Sequence, residues 1–100
     1  MLMEDTSIQP GNMAKIVATN IRRVREYRNY TQKHVASSLG ISQNAYSKLE
    51  LGESKITMER FFEIANILNV SYAGLMERYE DDIVQLRIEQ GGANNGIVQR

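Results

Sequence analysis

Gln43, Asn44, Ser47 and Lys48 bring two carboxamides, a hydroxyl and an ammonium into one short stretch of this chain. At about 100° per residue they fall on one arc of a helix that Ser42 would start. Ala45, Tyr46 and Leu49 fall on the opposite arc, which can pack. The polar arc carries the groups that bind nucleic acid. A Gln or Asn amide can bridge N6 and N7 of adenine, a Lys can reach guanine or a phosphate, and a Ser can serve either. A protein-interaction module that does not read DNA is the reading from a different class, and an apolar outward arc would favour it. The amide-rich strip here argues for DNA.

Catalysis finds little support. The single histidine, His34, falls on the polar side of the preceding segment, where a surface position near phosphate suits it better than a general base. No Cys/His cluster, glycine-rich phosphate loop or nucleophile–base pair is present. Glu80, Asp81 and Asp82 form a charge run without the further oxygen ligands a cation needs, so it reads as solvated surface. An enzyme is therefore not expected, nor are a metal or another cofactor.

The strip must be held by the elements around it. Residues 1–11 read as a polar tail ending in Pro10-Gly11, and Asn12 as the cap of a helix from about Met13 to Tyr27. Its apolar stripe is Val17, Ile21 and Val24, with Ala14 on the same side. After a break at Asn29-Tyr30, Thr31 caps a second helix that buries Val35, Ala36 and Leu39. Gly40 supplies the left-handed stop that ends it. Ser42 then caps the third helix, and Gly52 to Lys55 make a polar loop. Thr57 caps a fourth helix to about Leu68, with Met58, Phe61, Phe62, Ala65 and Leu68 on its core face and Ile67 pointing away. Asn69 ends it. Ser71 opens a fifth helix with Tyr72, Leu75, Met76 and Tyr79 on one face. Val84, Leu86 and Ile88 then alternate with Gln85, Arg87 and Glu89, which is strand periodicity. A lone hairpin is marginal in water, so this segment is expected to pair with something or to stay partly disordered.

Composition sets limits on all of this. The chain has 100 residues, enough for one small domain, and 42% of them are hydrophobic. No apolar run approaches the roughly 20 residues needed to span a bilayer, and the acidic start lacks the form of a signal peptide. Absence of cysteine fits a cytoplasmic protein. Net charge is zero, yet it is unevenly spread: −1 over residues 1–20, +4 over 21–60 and −3 over 61–100. Exposed charges are screened beyond about 8–10 Å, so a basic face can exist on a neutral chain.

From residue 21 to residue 70 the chain resembles the phage-repressor and Cro-type helix-turn-helix family, also called the XRE family. The likeness lies in four runs: Ile21, Val24 and Arg25; Thr31, Gln32, Val35, Ala36, Leu39, Gly40, Ile41, Ser42 and Gln43; Leu49, Glu50 and Gly52; and Ala65, Leu68 and Val70. Ala36 stands where two helices must cross closely, and Gly40 where the turn needs φ above zero. Two residues depart from the pattern: Tyr46 where Ile or Val is usual, and Ile56 where Pro is frequent.

The resemblance implies an all-α, five-helix DNA-binding domain over residues 12–80, followed by a strand-like or partly disordered tail over 81–100. It implies base reading by Gln43 and Asn44, with Ser47 and Lys48 further along the helix. Gln32 is expected on a phosphate at the N-terminus of the second helix, where free N–H groups and the helix dipole favour an anion. Arg28, Lys33 and Lys55 are the other phosphate candidates. Arg25 and Glu50 match positions that form a largely buried ion pair, so both are assigned to structure.

The implied function is sequence-specific binding of double-stranded DNA in transcriptional regulation, in a bacterium or its phage. One such domain reads only a few base pairs, so a homodimer on two half-sites about 34 Å apart is expected. The strand-patterned tail is the first candidate for dimerisation, and Ile67, Tyr72, Met76 and Tyr79 are the second. An antitoxin with a cognate toxin partner, or the controller of a restriction system, would use the same domain.

Overall fold

The computed structural model describes residues 10–77. Five helices follow one another: α1 (Pro10–Tyr27), α2 (Gln32–Leu39), α3 (Gln43–Leu51), α4 (Met58–Leu68) and α5 (Tyr72–Met76). There is no strand among the described residues, and the fold is all-α. The tail expected at 81–100, Tyr79 and the acidic run at 80–82 lie outside the described residues.

Short polar side chains start the last four helices. Thr31, Ser42, Thr57 and Ser71 have extended backbones, and their hydroxyls accept from the N–H of His34, Ala45, Arg60 and Gly74 respectively. Each hydroxyl satisfies a donor that has no partner within its own helix. Left-handed residues end three of them: Gly40 at φ 75°, Gly52 at 76° and Asn69 at 55°. At Gly40 a side chain would meet nothing within 4 Å, so the turn demands glycine for its backbone angle and not for space. α1 begins earlier than its sequence suggests, at Pro10, which leaves Asn12 inside the helix. A proline is tolerated in a first turn because its missing N–H would have had no partner there.

Ile21 and Val24 from α1, Val35 and Ala36 from α2, Tyr46 and Leu49 from α3, and Ile64, Ala65 and Leu68 from α4 form one core, closed by Val70 and Leu75. Ala14, expected on this face, is exposed; it lies a turn before Ala18, the first buried residue of α1.

Two helices are turned from the orientation their hydrophobic pattern suggests. In α4, Ile64 is fully buried and Ile67 packs against the core, whereas Met58 and Phe62 are exposed. The buried arc is rotated by about 50° from the expected one. α4 touches α1, α2 and α5, and Ile64 is fully enclosed in the core they share. Phe62 at the edge packs at a tilt of 48° against Tyr72 of α5, with ring centroids 4.8 Å apart. In α3 the shift has a polar cause. Glu50 is buried with Tyr46 and Leu49, and Ala45 is carried out to the surface.

Asn20 was not among the residues singled out by pattern. It is 2% exposed, and its amide donates to the carbonyls of Leu75, at 2.9 Å, and Glu77. α5 lacks a left-handed stop, its last cap being the extended Glu77, and the Asn20 amide satisfies its end carbonyls instead. An asparagine within a mid-helix apolar stripe is the signal that could have marked it.

Candidate nucleic-acid interface

The turn between α2 and α3 sets the angle at which α3 meets the surface. Gly40 and Ile41 donate to the carbonyls of Ser37 and Ala36, both at 3.0 Å, so the end of α2 is closed tightly. Ile41 packs on the core and holds the turn down. Ala36, at 2% exposure, leaves α2 and α3 room to approach. Neither helix carries an acidic residue in its first turn. Thr31 and Ser42 cap one N–H of each helix, and the dipoles still favour an anion at both N-termini.

Of the residues expected to read bases, Gln43, Asn44 and Lys48 are exposed and Ser47 is partly buried. Ala45 joins them at the surface because α3 is turned towards Glu50. It is a residue that sequence reasoning placed in the core. Lys33 and Lys55, expected on phosphate, are exposed as well. His34 is exposed beside Tyr30, their rings 4.8 Å apart.

Arg28 also serves the fold. Its guanidinium donates to the carbonyls of Leu68, at 2.9 Å, and Asn69, at 2.8 Å. It thus satisfies the open C-terminal carbonyls of α4, a role that its place near the end of α1 could not reveal.

Behind the exposed strip lies one carboxylate shared by three helices. Arg25 of α1 grips Glu50 of α3 with Nε on Oε2 at 2.6 Å and Nη2 on Oε1 at 3.2 Å. Gln32, the first residue of α2, donates its amide to the same Oε1 at 3.1 Å. Tyr46, one turn before Glu50, donates its hydroxyl to Oε2. Arg25 also donates to the carbonyl of Tyr30 at 2.9 Å. The Glu50 side chain is 1% exposed and that of Arg25 12%. Every buried side-chain polar atom among the described residues has a partner.

Burial is the largest influence on Glu50 and would raise its pKa. The hydrogen bonds from Arg25, Tyr46 and Gln32, with the charge of Arg25, outweigh it and hold the carboxyl below its ordinary value. Tyr46 moves the other way: burial, and then its bond to the anionic Glu50, keep the phenol protonated. The Glu50 hydrogen bond raises Arg25 further. The sequence marks Tyr46 only as an unusual residue at an apolar position; its bond to Glu50 accounts for the hydroxyl.

A family model described as helix-turn-helix matches residues 21–75, from the middle of α1 to the end of α5. The chain belongs to the helix-turn-helix family. Curated relatives of this helix-turn-helix chain agree. It is 35% identical over 65 residues to the uncharacterized HTH-type transcriptional regulator y4dJ of Sinorhizobium fredii, covering 65% of this chain and 84% of that protein. It is 41% identical over 54 residues to the cryptic phage CTXphi transcriptional repressor RstR of Vibrio cholerae, covering 54% of this chain and 48% of the repressor. A third relative, the antitoxin PezA of Streptococcus pneumoniae, is 32% identical over 88 residues, covering 79% of this chain and 56% of the antitoxin. The chain thus spans most of y4dJ but about half of the other two. No solved structure matches it at a comparable level of significance. The family is one of DNA-binding transcriptional regulators. No described helix is long and apolar enough to cross a membrane.

Proposed function

We propose that this protein binds double-stranded DNA in a sequence-specific manner and regulates transcription as a cytoplasmic homodimer on a two-half-site operator. The observation that carries the reading is the exposed polar arc of α3, backed by the buried Glu50 network. α3 enters the major groove, where Gln43 and Asn44 read base edges and Ser47 and Lys48 reach bases or phosphate. The exposed methyl of Ala45 is suited to contact with a thymine methyl. Lys33 and Lys55 bind phosphates, and Gln32 does so with the second proton of the amide that serves Glu50. Arg28 stays a phosphate candidate through the guanidinium N–H groups that the end of α4 does not use.

Selection of bound sites from random duplexes tests the reading. A palindromic site with half-sites one helical turn apart is expected; recovery of unrelated sequences would reject it. Phosphate contacts are tested by salt. Lys55→Ala is expected to lower affinity about equally for all duplexes and to make log affinity against log salt shallower by about one unit. A loss confined to one DNA sequence would move Lys55 to base reading.

Dimerisation needs a surface outside the core. Tyr72 and Met76 are each 47% exposed and Tyr72 lies against Phe62, whereas Ile67, expected with them, packs against the core. The patch on α4 and α5 is therefore one candidate, and the alternating segment Val84, Leu86 and Ile88 the other. A second role is favoured by the resemblance to the antitoxin PezA: an antitoxin that uses the same domain and has a cognate toxin as partner. Copurification of a toxin from the native host would support it.

A further inference from the structure

We infer that Tyr46, which is fully buried and cannot reach DNA, is a positioning residue for the phosphate contact of Gln32, acting through Glu50. The inference rests on the proposed phosphate role of Gln32 and adds what holds that side chain in place.

A carboxylate offers about four lone-pair sites. On Glu50 all four are taken: Arg25 Nε and the Tyr46 hydroxyl on Oε2, Arg25 Nη2 and the Gln32 amide on Oε1. Two of these donors come from Arg25, whose fork also holds the carbonyl of Tyr30 and is fixed by it. The Tyr46 hydroxyl is the only donor from α3 itself, and the Gln32 amide the only one from α2. The two single donors sit on different oxygens of one group, so the rotation of the carboxylate couples them.

Water cannot stand in for the phenol. Tyr46 is 0% exposed and the Glu50 side chain 1%. With the hydroxyl removed, Oε2 keeps Arg25 alone, and the carboxylate turns to restore a donor there. Gln32, reaching Oε1 at 3.1 Å from the partly exposed first residue of α2, must follow or let go. Its remaining N–H then no longer faces the phosphate. A family member with an aliphatic residue at this position would have no such link, so the effect belongs to the tyrosine.

The test is a double-mutant cycle on duplex affinity, using the full chain well below its melting temperature. Tyr46→Phe keeps the ring that fills the core. It is expected to weaken binding about fivefold, the size of one hydrogen bond, with base preference unchanged. In a Gln32→Ala background the same substitution is expected to have no further effect. In Tyr46→Phe the side-chain amide protons of Gln32 should also exchange faster than in the parent protein. That readout holds even where binding is not measured. Equal losses from Tyr46→Phe in both backgrounds, or unchanged amide exchange, would overturn the link and leave the phosphate contact standing. Wild-type affinity in Gln32→Ala would instead reject the phosphate contact, and the link with it.

Discussion

Glu50→Ala is expected to destabilise the domain by about 3–5 kcal/mol, the cost of breaking a buried ion pair from one side. The loss is large because the carboxylate serves Arg25, Gln32 and Tyr46 together. Its removal leaves the guanidinium of Arg25, 12% exposed, with only the exposed carboxylate of Glu26 at 3.9 Å as counter-charge, and a buried hydroxyl without an acceptor. Against a total stability of about 5–15 kcal/mol this is a large share, and the unfolding midpoint should fall clearly. Acid should mimic the substitution. The Glu50 pKa is held below the ordinary 4.5, so the folded state releases this proton more readily than the unfolded chain. The stabilisation is fully present above about that value and fades as pH falls through the lower folded one. Urea unfolding from neutral pH downwards checks both. Glu50→Gln should be less stable than the parent protein at neutral pH and flatter in acid. A Glu50→Ala protein with unchanged midpoint and impaired DNA binding would place Glu50 in the interface instead.

Gln43→Ala is expected to act on readout and not on stability. Gln43 is exposed, follows directly on the Ser42 cap, and contributes nothing to the core. Its loss should relax base preference at one position of each half-site, by about 1–3 kcal/mol of discrimination. The contrast with Lys55→Ala is the useful one: one variant changes which sequences bind, the other how tightly all of them bind. Competition between duplexes differing at single positions measures the difference. Unchanged preference in Gln43→Ala would remove it from the reading set.

What the sequence made legible was local. Thr31, Ser42, Thr57 and Ser71 cap their helices through hydroxyls three residues from the N–H they accept, and Gly40 and Gly52 end helices through their own backbone angles. Such interactions are complete within a few residues, so residue type and spacing reveal them. Helix rotation was not legible. The arcs of α3 and α4 are set by several neighbours at once, and in α3 by a charged residue that no hydrophobic pattern would bury. Nor were the long-range polar contacts of Asn20 and Arg28, which join residues 55 and 40 positions apart. Arg28 shows the consequence, since its type and charge point to phosphate and only the fold reveals that it also serves the end of α4. At the site, the exposed amide strip was legible from one helical wheel, and the bond of Tyr46 to Glu50 behind it was not.

The central claim is that the polar face of α3 reads bases from the major groove. It is tested most directly by replacing the purines of a selected site, one at a time, with deazapurines that lack N7. N7 lies only in the major groove and is the acceptor that Gln, Asn or Lys would use there. The account predicts a loss of affinity at one or a few purines in each half-site, and at one of them no further loss when the protein carries Gln43→Ala. Full affinity for every substituted duplex would contradict it.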